Sequence, residues 1–261
     1  MKKNKIRRLI NTVLVLIFLI SAFNIGITYY NYGRADDTYS LLREEYAEKN
    51  PPVSDAQAEG RDDTAREKEE NKNTPPVRIS FKALQKKNED VIGWLYCPDT
   101  PLDYPVAQGK DNNEYLRHDL EGRYIISGTL FADYRNGAPG EDSNYIIYGH
   151  NMKNKTMFGS LADYKSQEYY EEHPVIYYLT PEKSYVIELF ACLTLNRYDE
   201  LYTPDMPKED FFTLINEYRE DSFFRSEAEL SADDTIVTLS TCSYDFDDAR
   251  CVLLGKMTEI G

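Results

Sequence analysis

The sequence predicts a mainly β domain, a closed or nearly closed barrel with peripheral helices, preceded by one N-terminal transmembrane helix. From Arg78 onward, short apolar runs alternate with turn signals, which is the pattern of short strands. Those strands outnumber the helices without regular alternation, which favours a barrel over a doubly wound sheet. The transmembrane helix rests on the uncharged stretch from Leu9 to Tyr30, long enough for the roughly 20 residues that cross a ~30 Å hydrocarbon core.

The candidate strands are Ile92 to Cys97, Tyr104 to Gln108, Gly128 to Asp133, Asn144 to Gly149, Val175 to Thr180, Ser184 to Leu195, Thr235 to Cys242 and Arg250 to Met257. Candidate helices cover Ser80 to Asn88, Asn113 to Arg117, Met157 to Tyr170 and Lys208 to Asp221. Pro181 and Pro207 sit at boundaries, where proline is best tolerated.

Charge is unevenly spread along the 261 residues. The net charge is -15, yet Lys2, Lys3, Lys5, Arg7 and Arg8 all precede the first acid, Asp36. The acidity therefore lies entirely beyond the apolar stretch. Such a surface repels phosphates, whose binding needs Lys and Arg to displace condensed counterions, and this argues against nucleic acid as a partner. Basic residues before the span and Asp36 and Asp37 after it place the N-terminus in the cytoplasm and the remainder outside. A cleavable signal peptide shares the basic-then-apolar pattern, but Ser21-Ala22-Phe23 is a poor cleavage site.

The chain divides into three regions: a basic tail and anchor over residues 1–35, an acidic polar linker over 36–77, and a folded domain over 78–261. Within the linker TYSLLREEYAEKN can continue the helix, and Pro51-Pro52 and Pro75-Pro76 punctuate the rest. Too few apolar residues are present there to offset chain entropy.

Four cysteines and three histidines, with no C-x-x-C pair, argue against a metal site or a disulfide scaffold. Cys97, Cys192 and Cys251 read as buried small apolar side chains. Cys242 differs. TIVTLSTC and RCVLLGKM flank a polar connection, so a hairpin is the economical reading, and it brings Cys242 beside Arg250 at the sheet rim. Period-two alternation then turns Cys251 away from Arg250. A guanidinium beside a cysteine favours thiolate, the nucleophilic form, and can also donate to an oxyanion. Of the histidines, His118 and His173 have charged neighbours and read as solvated, whereas His150 follows the apolar run NYIIYG at a strand end. His150 is therefore the candidate proton carrier. Ser240 and Thr241, preceding Cys242 on its strand, are candidate substrate-binding residues; Ser240 shares the face of Cys242. Asp245 could orient His150 or Arg250, but an acidic loop is more often solvated.

The run Thr238-Leu239-Ser240-Thr241-Cys242, with Arg250 eight residues on and His150 upstream, resembles the sortase signature. VIGWLYCPDTPLDYPVAQGKDNNEYLRHD, GTLFADYRN, YIIYGHNM and FGSLADY are similar to class B sortases, as is a helix inserted between Leu195 and Thr235. The resemblance implies an eight-stranded barrel and a cysteine transpeptidase with Cys242, His150 and Arg250 as catalytic residues, needing no metal or organic cofactor. It implies cleavage of a sorting-signal peptide after Thr, and transfer of the resulting thioester to an amine of a peptidoglycan precursor or a pilin. The implied address is the membrane of a Gram-positive bacterium. A cysteine hydrolase using the same residues and a non-catalytic membrane-tethered binding protein are the alternatives. A reporter fused after Gly261 is expected to be active outside the cytoplasm; activity only in the cytoplasm would overturn the topology.

Overall fold

The computed structural model describes residues 2–49, 74–203 and 206–260. Helix α1 (Lys2–Tyr46) runs unbroken through the apolar stretch. It is long and apolar enough to cross a membrane, and its most apolar window is unburied. It leads into β1 (Ala47–Lys49), which pairs antiparallel with β2 (Val77–Ile79).

Then come α2 (Phe81–Lys87), β3 (Val91–Tyr96), β4 (Asp103–Ala107), β5 (Leu130–Ala132) and β6 (Asn144–Tyr148). A 3₁₀ helix (Phe158–Lys165) and α3 (Gln167–Glu172) precede β7 (Val175–Leu179) and β8 (Ser184–Asn196). A short 3₁₀ turn (Glu200–Tyr202) and α4 (Lys208–Glu220) lead to the final hairpin, β9 (Thr235–Cys242) and β10 (Ala249–Ile260).

Each of the eight expected strand regions forms a barrel strand, and the barrel closes in the order β10-β8-β7-β3-β4-β5-β6-β9. Its strands alternate between an inner and an outer face. Val237, Leu239, Cys251 and Leu253 enter the central core with Trp94, Tyr145 and Tyr178. Ile236, Val252 and Leu254 instead pack outside, with Phe211 and Ile215 of α4. Phe211 and Ile215 are four apart and so share one helix face, which is how α4 covers this sheet. Glu209 and Asp210 in its first turn complement the helix dipole.

Three expectations change. Asn113 to Arg117 is a turn, not a helix. Asp111 Oδ1 accepts from the N–H groups of Asn113 (2.7 Å) and Glu114 (3.1 Å), an arrangement that competes with helical bonding. The stretch from Met157 to Tyr170 divides at Ser166, whose hydroxyl accepts from the Tyr169 N–H and starts α3 as a separate helix. Finally, packing against the barrel begins before Arg78. Tyr39, Leu42 and Tyr46 on α1 are buried in the central core, and their three- and four-residue spacing makes one apolar stripe on the charged C-terminal part of that helix. Residues 50–73 of the expected linker lie outside the described residues. Leu42→Ala is expected to lower the unfolding free energy of the detergent-solubilised full chain by about 2–4 kcal/mol in chemical denaturation. An unchanged midpoint would mean that the stripe does not hold.

Candidate active site

The hairpin sets two of the expected residues side by side. Cys242 pairs directly with Arg250, and Ser240 with Val252, so all four side chains share the outer face. Cys242 is exposed, whereas Cys97, Cys192 and Cys251 are buried, and all four are free thiols.

The third residue arrives by a parallel pairing. β6 lies beside β9 with Tyr148 opposite Ser240, and the Gly149 N–H donates to the Ser240 carbonyl at 3.2 Å. Extending that parallel register by two residues along each strand brings His150 to the level of Cys242. Gly149 is needed there because an added Cβ would collide with Leu130 and with the Phe158 ring. The loop then clamps onto the end of β9: Asn151 Nδ2 donates to the Cys242 carbonyl at 2.7 Å, and the Phe158 N–H donates to the His150 carbonyl at 3.1 Å.

The His150 ring is oriented from the 113–118 turn. Nε2 lies 2.6 Å from the Leu116 carbonyl. A carbonyl can only accept, so Nε2 carries a proton, and in the neutral ring Nδ1 is the nitrogen that keeps its lone pair. Burial pushes the imidazole below its ordinary value of 6.5; the Leu116 acceptor opposes that shift and the Arg117 charge adds to it. The neutral ring is therefore favoured near neutrality.

Two of the three acids of the β9–β10 loop, Asp245 and Asp248, are engaged elsewhere. Asp245 pairs with Lys165 of the long 3₁₀ helix at 2.9 Å and accepts from Ser243; Asp248 pairs with Arg197 at 3.4 Å. The Arg250 guanidinium donates to the Ala249 carbonyl at 3.0 Å. Among the described residues, it forms no carboxylate pair, so its charge stays available to the Cys242 face.

Ser240 is buried with its hydroxyl 2.8 Å from that of Tyr202. The Tyr202 ring stacks beside Tyr148 at 6.3 Å, and Tyr148 donates to Asp133 at 3.1 Å. Burial works to raise the Asp133 carboxyl, but Arg135 holds it below the usual range through paired bonds of 2.8 Å. Thr241, expected to touch substrate, turns the other way: it sits opposite Cys251, 3% exposed, on the face away from Cys242. Period two makes that unavoidable for the neighbour of an outward cysteine. His118 and His173 are half-buried rather than solvated, the first with Nδ1 2.8 Å from the Glu114 carbonyl and the second against the Tyr169 ring.

The Tyr202 contact and the Leu116 carbonyl could not be read from the sequence. Tyr202 lies in an insertion with no motif of its own, and every residue has a carbonyl. Asn151, flanking His150, is the one visible signal.

A thiol, an imidazole and a guanidinium at one rim of a closed β-barrel suit the chemistry of a cysteine acyl-transfer enzyme. The sortase domain profile matches residues 95–258, and the chain belongs to the sortase family, whose members are cysteine transpeptidases. It is 37% identical over 184 residues to sortase B of Listeria monocytogenes, covering 69% of this chain and 75% of that one. Its fold is similar to the Staphylococcus aureus sortase B-substrate complex, with a TM-score of 0.66 and 33% identity over 69% of this chain and 85% of that one. A sortase B complexed with triglycine is similar at a TM-score of 0.65 and 32% identity, over 69% and 86% of the two chains.

The depressed His150 value has a stability consequence. The folded protein binds this proton more weakly than the unfolded chain, so the His150 contribution is fully present above the unfolded value and is lost as pH falls through the folded one. Denaturation from about pH 7.5 to about pH 5 is expected to show the wild type losing stability relative to His150→Gln as pH falls. Parallel curves would contradict the assignment.

Proposed function

We propose that this chain is a membrane-anchored class B sortase that cleaves a sorting signal after its Thr and transfers the acyl group to a cell-wall amine. The observation that carries the reading is the register of three neighbouring strands, in which β6 and β9 run parallel and β10 returns beside β9, so that His150, Cys242 and Arg250 share one rim. The substrate and the triglycine bound by the two similar sortases support a signal peptide and an amine as partners. The span at Leu9 to Tyr30, residues 36–77 after it and the catalytic domain over 78–261 give a cytoplasmic N-terminus and an extracellular active site.

In this reading neutral His150 takes the Cys242 proton at Nδ1 as the sulfur attacks the Thr carbonyl carbon. Arg250 donates to the oxyanion that forms. Collapse breaks the peptide C–N bond, His150 returns the proton to the departing amine, and the acyl group remains as a thioester. An incoming amine then loses its proton to His150 as it attacks, and Cys242 departs and recovers that proton. Ser240, buried against Tyr202 on the same face as Cys242, supports the peptide-binding surface from beneath. Thr241, facing inward, supports the strand from behind.

The test uses the full chain in detergent with sorting-signal peptides and an added amine, read by mass analysis. The wild type is expected to give a thioester and then the amide; free acid as the product at saturating amine would make it a hydrolase. Cys242→Ala is expected to abolish both products, and Cys251→Ala to retain them. Arg250→Lys is expected to lower kcat roughly 10²- to 10³-fold, the range for losing an oxyanion donor.

A further inference from the structure

The turn that orients His150 is braced from behind by the N-terminal helix. Tyr39 on α1 is 2% exposed. Its hydroxyl donates to the Gly128 carbonyl and lies 3.1 Å from Thr129 Oγ1. Thr129 then grips the turn on both sides of Leu116: its N–H donates to the Tyr115 carbonyl at 3.0 Å, and its Oγ1 donates to the His118 carbonyl at 2.9 Å. The Leu116 carbonyl between those points is the His150 acceptor. Gly128 adopts φ +55°, and an added Cβ there would strike the Tyr115 and Leu116 carbonyls, so no side chain cushions the brace from the turn. The Tyr39 ring is itself fixed edge-on to Tyr104 at 5.3 Å, and the Arg43 guanidinium also lies over the Tyr104 ring, 5.5 Å from its centroid.

We propose that Tyr39 is a positioning residue for the transpeptidase: through Gly128 and Thr129 its hydroxyl fixes the 115–118 turn, whose Leu116 carbonyl holds His150. The proposal rests on the reading of His150 as proton carrier. It makes docking of the N-terminal helix part of the active site's preorganisation. A burial-locked network of hydrogen bonds transmits displacement because each group has few alternative partners. Burial holds the Tyr39 phenol well above its ordinary value, so it stays a neutral donor. The charge that acts on the His150 imidazole is that of Arg117 on the turn; Glu114 and His118 belong to the same turn, and Cys242 and Arg250 to the ends of the neighbouring β9 and β10. A Tyr39 variant changes none of these charges and can reach the imidazole through geometry alone.

The experiment measures kcat and KM against pH for the full chain in detergent, in the wild type, Tyr39→Phe, Thr129→Ser, Thr129→Val, Leu42→Ala and His150→Ala. Tyr39→Phe and Thr129→Val are expected to lower kcat roughly three- to tenfold while KM stays within about twofold. Both are expected to move the acid limb of kcat to lower pH, because an imidazolium with a slack Leu116 acceptor is less stabilised. Thr129→Ser, which keeps the hydroxyl, should restore wild-type behaviour. Leu42→Ala removes packing from the same helix face without touching the polar link, and should lower the melting temperature while leaving the acid limb in place. A Tyr39→Phe profile superimposable on the wild type would overturn the proposal, as would an equal limb shift in Leu42→Ala. Turnover retained by His150→Ala would remove the underlying reading instead, so the two failures are separable.

Discussion

The parallel pairing of β6 with β9 is the constraint on which the rest of the site depends. Strands that run parallel end at the same rim, so the residues just past β6 and those that finish β9 must emerge together. That geometry brings Asn151 to the Cys242 carbonyl across 91 residues of chain. An antiparallel pairing would have sent His150 to the far end of the barrel. β10 solves the complementary problem: it returns antiparallel, so its beginning rather than its end lies at this rim and Arg250 stands opposite Cys242. The intervening chain, from the long 3₁₀ helix to α4, is the crossover that a parallel pair requires, and it is reused to cover both faces of the sheet.

The electrostatics depend on where the loop acids go. Lys165 takes Asp245 and Arg197 takes Asp248. Exposed ion pairs of this kind add little stability, since solvent screens them and side-chain entropy opposes them. Their importance lies in partition: two loop acids that could have neutralised Arg250 are committed to other cations, and among the described residues the guanidinium forms no carboxylate pair. Burial of His150 works in the same direction as the Arg117 charge, since both disfavour the imidazolium.

How much of this can be read in the sequence divides along one line. Local patterns carry the eight strands, the β9–β10 hairpin and the inward turn of Cys251, because period-two alternation and turn chemistry act within a few residues. The pairing partner of β6 is a long-range choice that no local signal encodes, and the sequence points to His150 only through its apolar strand and its likeness to a family. Two departures are also local. Asn113 to Arg117 has helix-forming side chains, but Asp111 diverts the first N–H groups into a turn. Tyr39, Leu42 and Tyr46 are hidden as core because the acids and bases around them outnumber them, although their spacing alone marks a buried stripe.

That stripe changes what the N-terminal helix does. A flexible tether would let the barrel tumble and would make the anchor a matter of address alone. Instead α1 continues without a break from the apolar stretch to Tyr46 and pairs its following strand with β2. At 1.5 Å of rise per residue, the two residues from Tyr30 to Tyr32, which packs against the barrel core, span only about 3 Å. The proposed membrane surface and the first barrel contact are therefore nearly adjacent along one rigid rod. Rotation of the barrel about that rod is blocked by Tyr39, Leu42 and Tyr46, since turning would expose their apolar area. The direction in which the Cys242 rim faces is consequently set by the phase of one helix, and inserting a single residue between Tyr30 and Tyr32 would turn the rim by about 100° relative to the proposed span.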